Sequence, residues 1–84
     1  MPLPLTVRGF MLVVAFHTTA EAFACEALCR KRGIEGRLIA VPRCITAGCG
    51  YAWRAEEEAK EAFESMAAQG LMEYEGLYVL PDRR

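Results

Sequence analysis

The patterned part of the chain begins with seven consecutive apolar residues, Phe10 to Phe16 (FMLVVAF), a run of strand length that predicts a central strand. A polar break at His17 follows. Thr18 and Glu21 then form a Thr-x-x-Glu capping box, in which hydroxyl and carboxylate each satisfy a free amide at a helix start, so a helix is expected from about Thr19 to Arg32. Gly33 suits the left-handed cap that ends it. In this helix Ala22, Cys25 and Cys29 share an arc free of charged residues and read as core. Arg37 to Pro42 (RLIAVP) is a second strand, ended by a proline that donates no ladder hydrogen bond. Tyr51 to Arg54 is a short third strand, with Tyr51 and Trp53 expected to pack in the sheet. Glu56, Glu57 and Glu58 place negative charge at the start of a second helix, and Ala59, Ala62, Phe63, Met66 and Ala67 make its apolar stripe. Gly70 ends that helix. Tyr74 to Leu80 is the last strand, with Leu77 and Val79 alternating against Tyr78 and Leu80.

Strand, helix, strand, strand, helix, strand in so short a chain predicts an α+β domain of ferredoxin-like βαββαβ arrangement, a four-stranded antiparallel sheet with two helices on one face. This single domain is expected over residues 10–81, after an irregular arm at 1–9 and before a charged tail at 82–84. The first and second strands of such a fold run the same way and end at one edge. His17 and the helix start at Thr18 and Thr19 are therefore expected to meet the 43–50 loop, with Gly50 close to His17 or to the helix amides.

Charge names no partner. Ten basic residues stand against eleven acidic ones, and no Lys/Arg cluster lies beside aromatic residues, which argues against nucleic acid. Arg30-Lys31-Arg32 reads as a helix-end run that complements the dipole. The apolar run at 10–16 is too short to span a bilayer. Glu21 falls where the neutral cleavage region of a secretory signal would stand, so the expectation is a cytoplasmic protein with no membrane association. In a reducing compartment its four cysteines are catalytic, metal-binding or buried more often than bridged.

The segment Pro42-Arg43-Cys44-Ile45-Thr46-Ala47-Gly48-Cys49-Gly50 carries the candidate chemistry. Gly48 and Gly50 remove side-chain bulk on both sides of Cys49, as expected of a thiol displayed on a loop for another molecule to approach. The alternative is a cysteine packed as a small hydrophobe. A helix N-terminus at Thr18 and Thr19 favours the thiolate, the nucleophilic form. His17 either supports that thiolate by proton transfer or charge pairing, or only caps the helix at the surface. Cys44 is an auxiliary thiol candidate, able to form a protecting or regulatory disulfide with Cys49. Arg43 either holds an anionic group or is a solvated surface side chain. Metal is disfavoured, because Cys44 and Cys49 lack the short spacing of such sites and structural zinc needs four ligands. No metal and no cofactor is expected, and copper(I) or zinc bound through the two thiols is the least favoured reading.

Phe16-His17-Thr18-Thr19 followed by a helix with Ala22 and Glu26, then Gly33-Ile34, then Leu38-Ile39-Ala40-Val41-Pro42-Arg43 leading into Ile45-Thr46-Ala47-Gly48-Cys49-Gly50, and finally Tyr74-Glu75-Gly76-Leu77-Tyr78, together resemble a known small-domain family. The family is the one described as putative selenium/sulfur carrier protein-like. The likeness runs from Phe16 to Leu80, and the Pro-Arg to Cys-Gly segment is its most specific part. The family usually has small polar residues in this loop; here Ala47 and Gly48 replace some of them and Cys44 adds a second thiol. The resemblance implies a non-enzymatic carrier, in which Cys49 accepts sulfur or selenium as a persulfide or selenosulfide and presents it to an acceptor protein. By resemblance alone, the donor is of cysteine desulfurase type and the acceptor a selenophosphate-forming enzyme. The competing class is a ferredoxin-like regulatory or interaction module, whose loop binds a small ligand or protein and whose Cys49 is packed.

Overall fold

The computed structural model describes residues 9–45 and 47–82. The elements follow the expected order: β1 (Phe10–Ala15), α1 (Thr19–Arg32), β2 (Arg37–Ala40), β3 (Tyr51–Glu56), α2 (Lys60–Ala68) and β4 (Gly76–Pro81), with a 3-10 turn at Glu57–Ala59 leading into α2. The strands form one sheet in the order β2-β3-β1-β4, and every pairing is antiparallel. This is the α+β ferredoxin-like fold.

The continuous apolar run becomes β1 because both faces of that strand are covered. Leu12, Val14 and Phe16 point to one side and join Ala22, Cys25, Cys29, Trp53, Phe63 and Met66 in a core beneath the helices. Val13 and Ala15 point to the other side and pack with Ala52 and Ile45. Ile45 comes from the 43–50 loop and is buried, so that loop roofs part of the face the helices leave open. Further along the same face, Arg54 stretches from β3 across β1. Its Nε donates to the Met11 sulfur at 3.1 Å and its Nη2 to Asp82 Oδ2 at 2.7 Å. On the helix side Trp53 is 3% exposed, and the indole Nε1 has no hydrogen-bond partner among the described residues. Gly36 (φ 155°) presses on that ring, and a Cβ there would lie 2.5 Å from Nε1.

Both ends of α1 follow local chemistry. Thr18 Oγ1 accepts the Glu21 amide at 3.2 Å, while the Glu21 carboxylate reaches back to the His17 amide at 2.8 Å. Gly33 adopts φ 70°, and the Ile34 amide closes on the Cys29 carbonyl at 2.9 Å.

Some boundaries differ from expectation. β2 leaves the ladder after Ala40, and the Val41 amide bonds the Gly50 carbonyl at 3.0 Å where the loop begins. β3 runs two residues further than Arg54, because Ala55 pairs with Leu12 in the core and Glu56 pairs with Met11. The acidic triplet does not open an α-helix directly. Glu56 is still extended, no side chain caps Ala59, and the chain takes a 3-10 turn first. β4 starts at Gly76; before it, the Glu75 amide binds the Ala15 carbonyl at 2.7 Å and Tyr74 packs on the helix-side core. Tyr51 is 46% exposed, against the expectation that it packs in the sheet, because it lies at the strand's end. Asp82, assigned to the charged tail, is buried and bound to Arg54. The rest of that tail, 83–84, and residues 1–8 of the arm lie outside the described residues, as does Thr46. Among the described residues no helix is long and apolar enough to cross a membrane.

Candidate functional site

The loop between β2 and β3 returns past the end of β1 and is fastened there by backbone contacts. The Cys49 amide donates to the Phe16 carbonyl at 3.1 Å, and the Gly48 amide donates to Glu75 Oε2 at 3.3 Å. Gly48 lies so close to His17 that a Cβ would come 2.6 Å from the His17 carbonyl oxygen. That approach is closed to any other residue. Gly50 has open space where a side chain would stand. The two flanking glycines therefore differ: one is required for the seat of the loop, and no close contact requires the other.

Seated this way, Cys49 continues the helix-facing alternation of Tyr51 and Trp53, and its side chain enters the core. It is 4% exposed, not displayed on the loop surface as the flanking glycines suggest. The sulfur is nonetheless engaged by polar groups. The Tyr51 amide donates to Sγ at 3.3 Å, and Sγ lies 3.7 Å from Thr19 Oγ1, which it reaches as donor. Thr19 is the first residue of α1, so the sulfur sits at the positive end of that helix.

His17 contributes backbone to this corner, but its ring turns away to Glu21, with Nδ1 3.1 Å from Oε1. Desolvation pushes the Glu21 carboxyl up, but the His17 amide, the His17 ring and the Thr18 amide outweigh it and hold the group below its usual 4.5. Thr18 is spent on the cap. Cys44 is exposed in the turn closed by the Ile45 amide and the Pro42 carbonyl at 3.0 Å. It stands next to Ile45, which packs on the sheet face opposite to the one that receives Cys49. All four cysteines are free. Arg43, in the same turn, is exposed and forms no ion pair among the described residues.

Cys25 and Cys29 are fully buried, one helical turn apart, with sulfurs 3.9 Å from each other. The hydrogen bond to Cys29, reinforced by burial, pushes the Cys25 thiol up. The same bond draws Cys29 down against its own burial. Both are core residues, as their arc on the helix suggests. Among the described residues no group of three or more His, Cys, Asp or Glu side chains is placed to hold a metal ion.

Two participants carry no mark in the sequence. The Tyr51 amide is a backbone group, and Glu75 acts on a loop far from it in the chain. A third feature did leave a signal: Phe23 interrupts the outer face of α1, and its ring lies 6.0 Å from that of Tyr51.

Residues 11–79 match the model of the family described as "Putative Se/S carrier protein-like". The match covers most of the chain, which belongs to this family. A carrier family of this kind implies protein partners in sulfur or selenium transfer. No curated protein and no solved structure matches the chain.

Proposed function

We propose that the protein carries a sulfur or selenium atom on Cys49, as a persulfide or selenosulfide, and delivers it to an acceptor protein in the cytoplasm. The observation that supports this reading is the environment of the Cys49 sulfur: an amide donor at 3.3 Å, a hydroxyl at 3.7 Å and the positive end of α1. An aliphatic core position needs none of these. In loading, the Cys49 thiolate attacks the outer sulfur of a donor persulfide. A new S–S bond forms on Cys49, the donor S–S bond breaks, and the donor leaves as a thiolate, so no oxidant is consumed. In delivery an acceptor nucleophile attacks the outer atom, and Cys49 leaves as the thiolate.

The Tyr51 amide and the helix end stabilise the anionic sulfur in both steps. The Thr19 hydroxyl, which accepts from the thiol, rotates to donate once the proton has gone. Gly48 holds the loop against the His17 carbonyl. Arg43, exposed in the loop, offers charge to an anionic group of the partner. The donor in this reading is a cysteine desulfurase-type enzyme and the acceptor a selenophosphate-forming one. Cys44 is an auxiliary thiol that meets Cys49 only when the loop rearranges.

Mass spectrometry after incubation with glutathione persulfide tests the reading. One added sulfur is expected on the peptide holding Cys49 and none in Cys49→Ser, whose circular dichroism is expected to match the parent. Normal loading of Cys49→Ser overturns it.

One observation favours the second reading, an interaction module with a packed cysteine: Cys49 is only 4% exposed. That reading stands if Cys49 resists both loading and alkylation until the protein unfolds.

A further inference from the structure

The outer face of α1 is apolar where a solvated helix face would be charged. Ala20, Phe23, Ala24 and Ala27 are exposed, while Ala22, Cys25 and Cys29 fill the inner face, so the helix is apolar on both sides until its last turn. Helices of that composition are ordinarily covered on both sides. Phe23 is 49% and Tyr51 46% exposed, with their rings 6.0 Å apart and tilted by 42°. Aromatic residues are enriched at the cores of protein interfaces, and Tyr among their energetic anchors.

The patch adjoins the candidate thiol. Phe23 lies one helical turn beyond Thr19, whose hydroxyl is 3.7 Å from the Cys49 sulfur, and Tyr51 donates its own amide to that sulfur. A cysteine of another protein that exchanges sulfur with Cys49 must come within bonding distance, so surface this close falls inside the footprint of the exchange. At its other end the stripe runs into Arg30 and Lys31. Arg30 meets Glu26 at 3.4 Å with 77% of its side chain exposed, and Lys31 forms no ion pair among the described residues.

Resting on the carrier reading, we infer that the outer face of α1 with Tyr51 is the docking surface for the protein that donates sulfur to Cys49. The partner's contact surface is apolar around its cysteine and acidic where it meets Arg30 and Lys31. A second copy of the chain is the competing occupant, since an antiparallel two-fold contact turns the first turn of one α1, with Glu21, toward the Arg30 and Lys31 end of the other.

The test compares loading of Cys49 in the full chain from two donors: glutathione persulfide, and a purified cysteine desulfurase supplied with cysteine. Phe23→Glu is expected to slow loading from the enzyme at least tenfold and to leave loading from glutathione persulfide within twofold. Lys31→Glu is expected to slow the enzyme-dependent rate severalfold, and added salt to do the same to the parent protein. Phe23 is outside the core, and circular dichroism checks that the variant folds. Unchanged enzyme-dependent loading in both variants overturns the proposal, as does an equal loss with both donors. A parent protein that loads from glutathione persulfide but not from the enzyme also overturns it. So does a parent dimer that Phe23→Glu dissociates, since a second copy is then the occupant. Failure of the parent to load from either donor instead removes the carrier reading itself.

Discussion

The Tyr51 amide donates to the Cys49 sulfur at 3.3 Å across a single glycine, while the Tyr51 ring lies outside against Phe23. One residue thus faces both ways: its backbone supports the buried thiol, and its side chain forms part of the surface a partner would meet. A thiol that is 4% exposed reaches a partner only if something at this corner gives way.

Gly48 and Gly50 separate experimentally. A Cβ at Gly48 collides with the His17 carbonyl, a backbone atom that cannot swing aside, so Gly48→Ala is expected to destabilise the fold by about 1–3 kcal/mol. Gly50→Ala meets nothing within 4 Å and is expected to be neutral or to stabilise by up to about 1 kcal/mol through the unfolded chain. Urea midpoints of the two variants give the comparison, and equal midpoints would contradict the seating of the loop.

Thiol labelling under native conditions is expected to follow exposure. Cys44 reacts first with iodoacetamide, Cys49 more slowly, and Cys25 and Cys29 only on unfolding. The flanking glycines alone suggest that Cys49 leads; its burial reverses the first two. Peptide mapping of timed aliquots reads the order directly.

The start of α1 links stability to pH. Thr18→Ala removes the hydroxyl that receives the Glu21 amide and is expected to cost about 1 kcal/mol. The Glu21 carboxyl titrates below its usual 4.5 when folded, so its contribution is fully present above that value and is lost as the pH falls through the lower folded value. Glu21→Gln is expected to flatten this acid-side loss, measured as the urea midpoint at successive pH values below about 5. An unchanged slope would mean that the carboxylate does not hold the His17 and Thr18 amides in solution.

Arg54 and Asp82 are 16% and 11% exposed at their side chains and meet at 2.7 Å. Asp82→Ala leaves a largely covered guanidinium short of an acceptor and is expected to cost about 1.5–3 kcal/mol. The exposed pair Lys60–Glu64, at 3.8 Å, is expected to contribute less than about 1 kcal/mol, with more of that lost in salt. Double-mutant cycles at low and high ionic strength distinguish the two pairs.

The parts of the fold that were legible in the sequence depend on near neighbours. Thr18, Glu21 and Gly33 mark α1 because their hydrogen bonds close within one turn. The run from Phe10 to Phe16 marks β1 because a strand covered on both faces has no polar positions. The meeting of the loop with His17 was legible from topology, since β1 and β2 run the same way. The burial of Cys49 was not, because it depends on the backbone of Gly48 pressing on a carbonyl at the far end of another strand. Tyr51, which the β pattern assigns to the sheet, lies exposed at the strand's end with its ring against Phe23 of α1.

Trp53 is the chain's single tryptophan, buried, without a partner for its indole N–H among the described residues, and packed in the same apolar cluster as Cys49. The protein thus contains its own optical probe. Emission from an indole so shielded lies toward the blue, and no second tryptophan dilutes it. Opening of the corner around Cys49, or a heavy selenium atom lodged there, is therefore open to observation in real time, on the unlabelled protein, as a change in the colour or lifetime of one fluorophore.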